Sequence, residues 1–333
     1  MESNGLKIEN QTGRTPPYLF RLLRVLVSLA LIAWLFVRFE WGNALKALRT
    51  VPWSLIGVGI CLFILGQLLG ARRLQLLLAR QQIRIGLNYS FRLTLAGLFA
   101  SNFLPSTVGG DAIKVLVLVR RGFGKTVTTA TIVADRVINL FAMAFLLPTV
   151  LAIPGILDPA IVNDIGFRVT IITAVTGLLI CGVYLLGRYA QRKIKTSDAE
   201  VILFSKGQRF LGSLSLLTSR WLAEPKILFA ASALSWASVS SAFVATWIMA
   251  LGLKINISIF ELIPVLVVVY FVTLLPISVN GLGVQEVSLV YLLTKLGILS
   301  GQALALAVIM RLLYVATSLF GVYDMVNWSS RKS

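Results

Sequence analysis

Several long stretches of this sequence contain no charged residue, and they limit the fold more than any other feature. Residues 53–71, 169–187 and 227–251 carry no Asp, Glu, Lys or Arg. About 20 apolar residues are enough for a helix to cross the hydrocarbon core of a bilayer. Inside that core every backbone polar group needs an internal partner, so only helices and closed barrels can span it. The sequence therefore predicts a helical membrane protein.

Three further segments are long enough to span a membrane but contain charges, namely 19–37, 126–153 and 303–326. The composition agrees, because 57% of the residues are hydrophobic and only 13% are charged. The net charge of +18 would suggest nucleic-acid binding in a soluble protein. Here the basic residues concentrate in short loops between spans, as they do in membrane proteins. We therefore expect membrane lipids as partners and no nucleic acid.

One pattern of residues occurs twice within the hydrophobic sequence. The first copy consists of Leu104, Pro105, Gly110, Asp111, Gly122 and Arg136, and the second of Leu275, Pro276, Gly281, Glu286, Gly297 and Arg311. In each copy the acid lies 11 residues before a Gly, and that Gly lies 14 residues before an Arg. A duplicated hydrophobic segment that is broken by Pro and Gly and carries charge indicates a transporter site near the bilayer midplane.

Each copy interrupts a hydrophobic stretch. The arms of the first interruption, 91–104 and 111–121, would form helices of about 21 and 16 Å, too short for a core of ~30 Å. The segment is either one kinked span, which would place the following basic residues outside the cell, or a re-entrant hairpin, which returns them to the inside. The positive-inside rule favours the hairpin. By the same pattern, 261–275 and 283–296 form a second hairpin.

We predict an all-α integral membrane protein of about six full transmembrane helices and two re-entrant helical hairpins, arranged as an inverted repeat. Three spans separate the hairpins, and this odd number makes them enter from opposite faces. A disordered cytoplasmic N-terminus (1–18) precedes a single membrane domain (19–328) with half-repeats 19–153 and 168–327 and a basic cytoplasmic loop, 188–226. Both termini are expected in the cytoplasm and the protein in the cytoplasmic (inner) membrane.

The charged residues of the two copies are the candidate site, because ionised side chains inside a membrane are costly and usually functional. The head-group-binding candidates are Lys114, Arg136, Arg311, Asp111, Glu286, Asp135 and Asn102, and the predicted hairpin tips comprise Pro105, Gly109, Gly110, Pro276, Gly281 and Gly283. The guanidinium fork of an Arg matches the oxygens of a phosphate group.

These residues also have a structural interpretation, which the sequence leaves open. Asp111 can cap a half-helix and pair with Lys114, three residues later. Arg136–Asp111 and Arg311–Glu286 pairs could lock the repeats together. Adjacent residues point away from each other on a helix, so Asp135 and Arg136 are expected to have different partners.

Enzyme motifs are absent from the sequence. It contains no His, which excludes imidazole metal ligands and His acid–base catalysis. No plausible Ser/His, Cys/His or metal-ligand set occurs either. We therefore expect no catalytic activity, no metal and no cofactor.

Three segments together resemble the lysylphosphatidylglycerol synthase transmembrane (flippase-like) family: 102–111, the pair Asp135-Arg136, and 275–286. The resemblance extends over roughly 19–326 and implies a phospholipid flippase or a relative that handles glycolipids or polyprenyl lipids. Family members usually have Glu at the position of Asp135. These 333 residues include no aminoacyl-transferase domain, so we expect only the membrane half of such a synthase.

The leading hypothesis is a transporter that moves a phosphate-bearing or glycosylated lipid between leaflets. One alternative is a transporter of a small soluble solute or ion, which a fully enclosed cavity would favour. The other is an accessory subunit of lipid glycosylation or modification. Separately encoded lipid-modifying enzymes are then further candidate partners.

Overall fold

A computed structural model describes residues 41–103, 109–152, 225–275 and 277–325, together with parts of 26–37. Within these residues the chain is helical and contains no strand, so the predicted all-α class is confirmed. The helices are α1 (Trp41–Arg49), α2 (Trp53–Arg80), α3 (Leu87–Phe103), α4 (Gly109–Arg120), α5 (Lys125–Ala144), α6 (Pro225–Gly252), α7 (Ile259–Leu274), α8 (Val284–Lys295) and α9 (Ser300–Leu319).

Four helical segments in the described part of the chain are long and apolar enough to cross a membrane. They are Trp53–Arg80, Lys125–Val150, Lys226–Gly252 and Ser300–Leu319. They correspond to four of the six predicted spans. The predicted span 169–187, the N-terminus 1–18 and nearly all of the loop 188–226 lie outside the described residues, and 19–37 lies there in part. The number of six spans stays a prediction.

The break after α3 folds the chain back on itself. A methyl group built on Gly97 would lie 3.1 Å from the carbonyl oxygen of Gly110 and 2.6 Å from Cε of Lys114. In one continuous kinked helix, positions 97 and 114 would be about 25 Å apart. Pro105 lies outside the described residues, whereas Gly109 and Gly110 are buried at the start of α4. The arms α3 and α4 therefore form a hairpin, as predicted.

The second predicted hairpin also packs as two arms. Helices α7 and α8 contact each other, and Leu262 and Val265 of α7 belong to the same buried cluster as Val290 and Leu293 of α8. A short turn, Val279–Gly281, connects the arms.

Two of the predicted tip glycines of this hairpin have backbone conformations that side chains rarely adopt. Gly281 and Gly283 have φ angles of 71° and 80°. A residue without a Cβ adopts such positive angles at little cost, which explains glycine at both positions. The third predicted tip residue, Pro276, lies outside the described residues.

The two longest helices of the described residues, α2 and α6, pack against each other and contain 28 residues each. The Ser238 hydroxyl donates to the Gly66 carbonyl at 2.8 Å, and the Ser241 hydroxyl donates to the Leu62 carbonyl at 2.6 Å. The residue further along α6 meets the residue earlier in α2, so the helices are antiparallel. In the predicted repeat, α2 of the first half corresponds to α6 of the second half. An inverted repeat requires that such corresponding helices run in opposite directions. The repeat itself stays a prediction.

Close packing within the first hairpin makes Gly110 sensitive to substitution. A methyl group at Gly110 would lie 2.2 Å from the carbonyl oxygen of Gly97 and 2.2 Å from the hydroxyl of Ser101. We expect Gly110→Ala to cost about 1–3 kcal/mol, the usual range for overpacking. The measurement is the thermal unfolding midpoint of the purified protein in detergent.

A matched control for this substitution is Gly57→Ala in α2. A methyl group at Gly57 meets nothing within 4 Å, and Ala favours helix over Gly. Its unfolding midpoint should equal or exceed that of the unsubstituted protein. Equal midpoints for the two variants would contradict the close approach of the arms.

Candidate functional site

A cavity of about 300 Å³ lies where α2 to α7 meet. Its charged lining residues are Arg73, Asp111, Lys114, Asp135 and Arg136, and its other polar lining residues are Gln67, Thr94, Ser101, Asn139, Ser238 and Tyr270. The structure thus brings together four of the seven predicted head-group residues. Charged groups from three helices converge on this one space.

Asp111 joins two basic residues at the edge of this cavity. Its Oδ1 lies 3.2 Å from Lys114 Nζ, and its Oδ2 lies 3.0 Å from Arg136 Nε. The Arg136 side chain is 42% exposed, whereas that of Asp111 is 19% exposed. The Arg136–Asp111 pair of the structural interpretation therefore exists, and the Arg136 side chain remains accessible. Binding of a substrate by these residues stays a prediction.

Asp135 faces away from Arg136 and pairs with Arg73. Arg73 Nε lies 2.6 Å from Asp135 Oδ1, and Arg73 Nη2 lies 3.0 Å from Oδ2. Such a two-pronged contact is the strongest geometry for this kind of pair. Arg73 Nη1 also donates to Asn139 Oδ1 at 3.0 Å and to the Ser235 hydroxyl. The expectation that Asp135 and Arg136 have different partners is confirmed.

Arg73 is a site residue that sequence reasoning missed. Helix α2 continues beyond residue 71, the predicted end of this span, to Arg80, and only 6% of Arg73 is exposed. Ser235 on α6, which the sequence analysis did not single out, accepts a hydrogen bond from Arg73. The signal that could have indicated such a partner was Asp135 itself, because the adjacent Arg136 points to another side of the helix and leaves this acid in need of a different base.

The two hairpins contact each other through polar side chains. Asn280, in the turn of the second hairpin, donates through Nδ2 to Asn102 Oδ1 at 2.8 Å. The following helix α5 also contacts the second hairpin, because Asn139 Nδ2 lies 3.3 Å from the hydroxyl of Tyr270 on α7. Asn102 therefore joins the two hairpins, and it is not among the described residues that line the cavity.

The acid and Arg of the second copy form a separate, buried pair. Arg311 Nε lies 2.5 Å from Glu286 Oε1, and the side chains are 14% and 11% exposed. Glu286 Oε2 also accepts the Gly283 N–H at 2.8 Å, while Arg311 Nη2 lies 3.4 Å from the Gly281 carbonyl. Neither Glu286 nor Arg311 is among the described lining residues of the cavity. This pair ties the second hairpin to α9.

A groove of about 650 Å³ runs between α4 and α5 beside the cavity. Its apolar walls comprise Ala112, Val115, Leu116 and Val119 on α4 and Ile132, Val133, Val137 and Leu140 on α5. Leu116, Val133 and Val137 are 43%, 40% and 40% exposed. The groove also contacts Asp111 and Arg136, so these two residues separate a polar space from an open apolar one.

The described side chains of this site have the chemistry of anion recognition. Among the residues that the structure describes, no three His, Cys, Asp or Glu side chains gather to hold a metal ion. Guanidinium and ammonium groups beside polar side chains can bind an anion such as phosphate. The adjoining groove can accommodate a hydrocarbon chain.

Two comparisons relate the chain to known proteins. The sequence profile of a family described as "Lysylphosphatidylglycerol synthase TM region" matches residues 21–321. A "UPF0104 membrane protein" of Archaeoglobus fulgidus is 24% identical over 337 residues, which cover 94% of this chain and 98% of the relative. The profile match contains both hairpins, the cavity and every candidate residue named above.

Proposed function

Since the chain belongs to the lysylphosphatidylglycerol synthase transmembrane family, a membrane-protein family linked to lipid handling, we propose that it moves a lipid between leaflets. The lipid carries a phosphate-bearing or glycosylated head group. The protein acts as a flippase of the cytoplasmic membrane, with both termini in the cytoplasm, and it is not an enzyme. The following contacts support this proposal.

One observation carries the proposal, namely that the cavity and the groove share Asp111 and Arg136. A polar space directly beside an open apolar groove matches the two-part character of a lipid, with a head group in one and a chain in the other. From Lys125 to Arg136 the groove follows α5 for about 16 Å, close to half of a ~30 Å hydrocarbon core. A chain in this groove can remain in contact with surrounding lipid.

Each charged residue at the boundary has a role in this proposal. Arg136 and Lys114 bind the head-group phosphate, and Asp111 holds both bases in position when the site is empty. The exposure of Arg136 lets it exchange its carboxylate partner for a phosphate. The Glu286–Arg311 pair keeps the second hairpin attached to α9. This pair stays intact while the two halves of the protein move relative to each other in alternating access.

The exposed walls of the groove favour a lipid over the soluble solute of the alternative hypothesis. A solute site must be closed to the bilayer, whereas Leu116, Val133 and Val137 leave this groove open at its side. If the protein is instead an accessory subunit, cells that lack it should lose a modified lipid, although the purified protein exchanges no lipid between leaflets.

Leaflet exchange in vesicles tests the proposal. Purified protein in vesicles with fluorescent phospholipids and glycolipids should make inner-leaflet label accessible to an added quencher faster than empty vesicles do. Arg136→Gln should slow exchange at least about tenfold, because a charged hydrogen bond contributes about 1.5–3 kcal/mol.

The matched control for Arg136→Gln is Arg49→Gln, which removes an exposed charge at the end of α1 that is not among the described lining residues of either space. It should keep the original exchange rate. Folded protein that exchanges no lipid of either class would overturn the proposed function.

A further inference from the structure

Tyr270 lines the cavity and was not among the predicted site residues. It belongs to α7, an arm of the second hairpin, and its side chain is half-buried. Its hydroxyl lies 3.3 Å from Asn139 Nδ2 on α5. Which of these two groups donates the hydrogen decides what Tyr270 can offer to a molecule in the cavity.

Arg73 fixes the orientation of the Asn139 amide. A guanidinium group has donors only, so the Asn139 atom that lies 3.0 Å from Arg73 Nη1 must be the amide oxygen. The amide nitrogen then faces Tyr270, and this nitrogen can only donate. The Tyr270 oxygen therefore accepts the hydrogen bond. Arg73 is itself held in place by its two contacts with Asp135.

The hydrogen of the Tyr270 hydroxyl is left for another partner. A phenolic hydroxyl accepts hydrogen bonds through its oxygen and donates one through its hydrogen. Asn139 uses the oxygen, and the structure gives the hydrogen no acceptor among the residues that it describes. Because Tyr270 lines the cavity, a bound molecule with an acceptor oxygen can take this hydrogen.

The contact would come from the second half of the predicted repeat. Ser238, Tyr270 and Leu274 are the described lining residues from 168–327, whereas all charged lining residues belong to the first half. Leu274 is apolar, and the Ser238 hydroxyl already donates to the Gly66 carbonyl at 2.8 Å. A molecule that binds a basic lining residue and Tyr270 would therefore contact both halves, which move relative to each other in alternating access.

Resting on the proposed function, we propose that Tyr270 is a further substrate-binding residue, which donates its hydroxyl hydrogen to an acceptor oxygen in the head group of the transported lipid. Arg73 and Asn139 are positioning residues that act through this hydroxyl. Arg73 orients the amide of Asn139, and Asn139 then keeps the hydrogen of Tyr270 directed away from α5. The second half thereby contacts the transported lipid directly.

Tyr270→Phe tests the hydroxyl, because it removes one oxygen and keeps the ring. Vesicles that contain the protein and a labelled lipid, either phosphatidylglycerol or a monoglucosyl diacylglycerol, report leaflet exchange. For each lipid that the unsubstituted protein moves, the substitution should slow exchange about three- to tenfold, the effect of one neutral hydrogen bond. Unchanged exchange of these lipids would overturn the inference and leave the proposed function intact.

The matched control is Tyr291→Phe on α8. Tyr291 is 59% exposed and is not among the described lining residues of the cavity, so loss of its hydroxyl should keep the original exchange rate. If Tyr270→Phe and Tyr291→Phe slow exchange equally, the hydroxyl of Tyr270 has no special contact and the inference is wrong.

A double substitution tests the positioning role of Asn139. Asn139→Leu removes the group that holds the Tyr270 oxygen and should slow exchange per folded molecule at least about threefold. In the Tyr270→Phe background the same change should have less than about a twofold effect, because no hydroxyl remains to be positioned. A purely structural role would reduce the rate by the same factor in both backgrounds, and that result would overturn the assignment of Asn139.

A binding measurement separates this inference from the proposed function. If the folded protein exchanges neither lipid, native mass spectrometry of the detergent-solubilised protein measures how much of each lipid it retains. Weaker retention by Tyr270→Phe than by Tyr291→Phe would support the contact although the transport function fails. Equal retention by the two variants, or no retention by the unsubstituted protein, would overturn both.

Discussion

Arg73→Met should lower the free energy of unfolding by about 3–5 kcal/mol, the usual cost of removing one partner from a buried ion pair. The substitution would leave the Asp135 carboxylate buried and without the guanidinium that contacts both of its oxygens. Asn139 and Ser235 would lose the same partner. Unfolding of the purified protein by denaturant in detergent micelles measures this cost.

The neighbouring residue provides a matched control for this prediction. Arg72 is exposed and donates to Gln75 at 2.6 Å, so Arg72→Met should change stability by less than about 0.5 kcal/mol. Adding Asp135→Asn to Arg73→Met removes the buried charge and should recover part of the loss. If Arg72→Met and Arg73→Met destabilise the protein equally, the buried pair has no special role.

Arg73 also shows where prediction from the sequence fails. The uncharged run ends at Ala71, and the first charges after such a run are ordinarily assigned to a loop. In the structure α2 continues for nine residues beyond Ala71 to Arg80, and the buried Arg73 pairs with Asp135. A partner 62 positions away in the sequence cannot be identified from hydropathy. The unexplained acid at position 135 was the only indication.

The hairpins, in contrast, could be predicted from local features. Their arms are too short to cross a bilayer, and Pro and Gly interrupt each pair, so folding back was the simplest solution. The equal spacing of 25 residues between acid and Arg also corresponds to a real contact in both copies, Asp111–Arg136 and Glu286–Arg311. The equal spacing leads to the same contact because in both copies the acid-bearing helix is followed by a turn and then by the helix that carries the Arg.

The sequence could not show that the two pairs have different surroundings. Residues from α2, α6 and α7, far apart in the chain, enclose the space beside Asp111. In the second copy the backbone of the turn supplies the contacts, because Gly283 donates to Glu286 and the carbonyl of Gly281 lies near Arg311. One hint was available, because Asp111 directly follows Gly110 whereas Glu286 lies five residues after Gly281, so the second copy has four additional residues before its acid.

The second large effect follows from this difference between the copies. Arg311→Met should cost about 3–5 kcal/mol of stability, because Glu286 is 11% exposed and would lose its basic partner. Arg136→Met at the equivalent position should cost less than about 1 kcal/mol, since the Arg136 side chain is 42% exposed. Asp111 would moreover keep its contact with Lys114. Denaturant unfolding of both variants under identical conditions measures the difference.

Leaflet exchange should rank the same two variants differently. Arg136→Met keeps its fold but removes a proposed phosphate ligand, so its exchange rate per folded molecule should fall at least about tenfold. Arg311→Met should lose stability, while the molecules that remain folded keep an intact cavity and exchange lipid. If instead both variants are equally destabilised, the Asp111–Arg136 pair is a structural connection like Glu286–Arg311. The assignment of Arg136 to the head group would then be wrong.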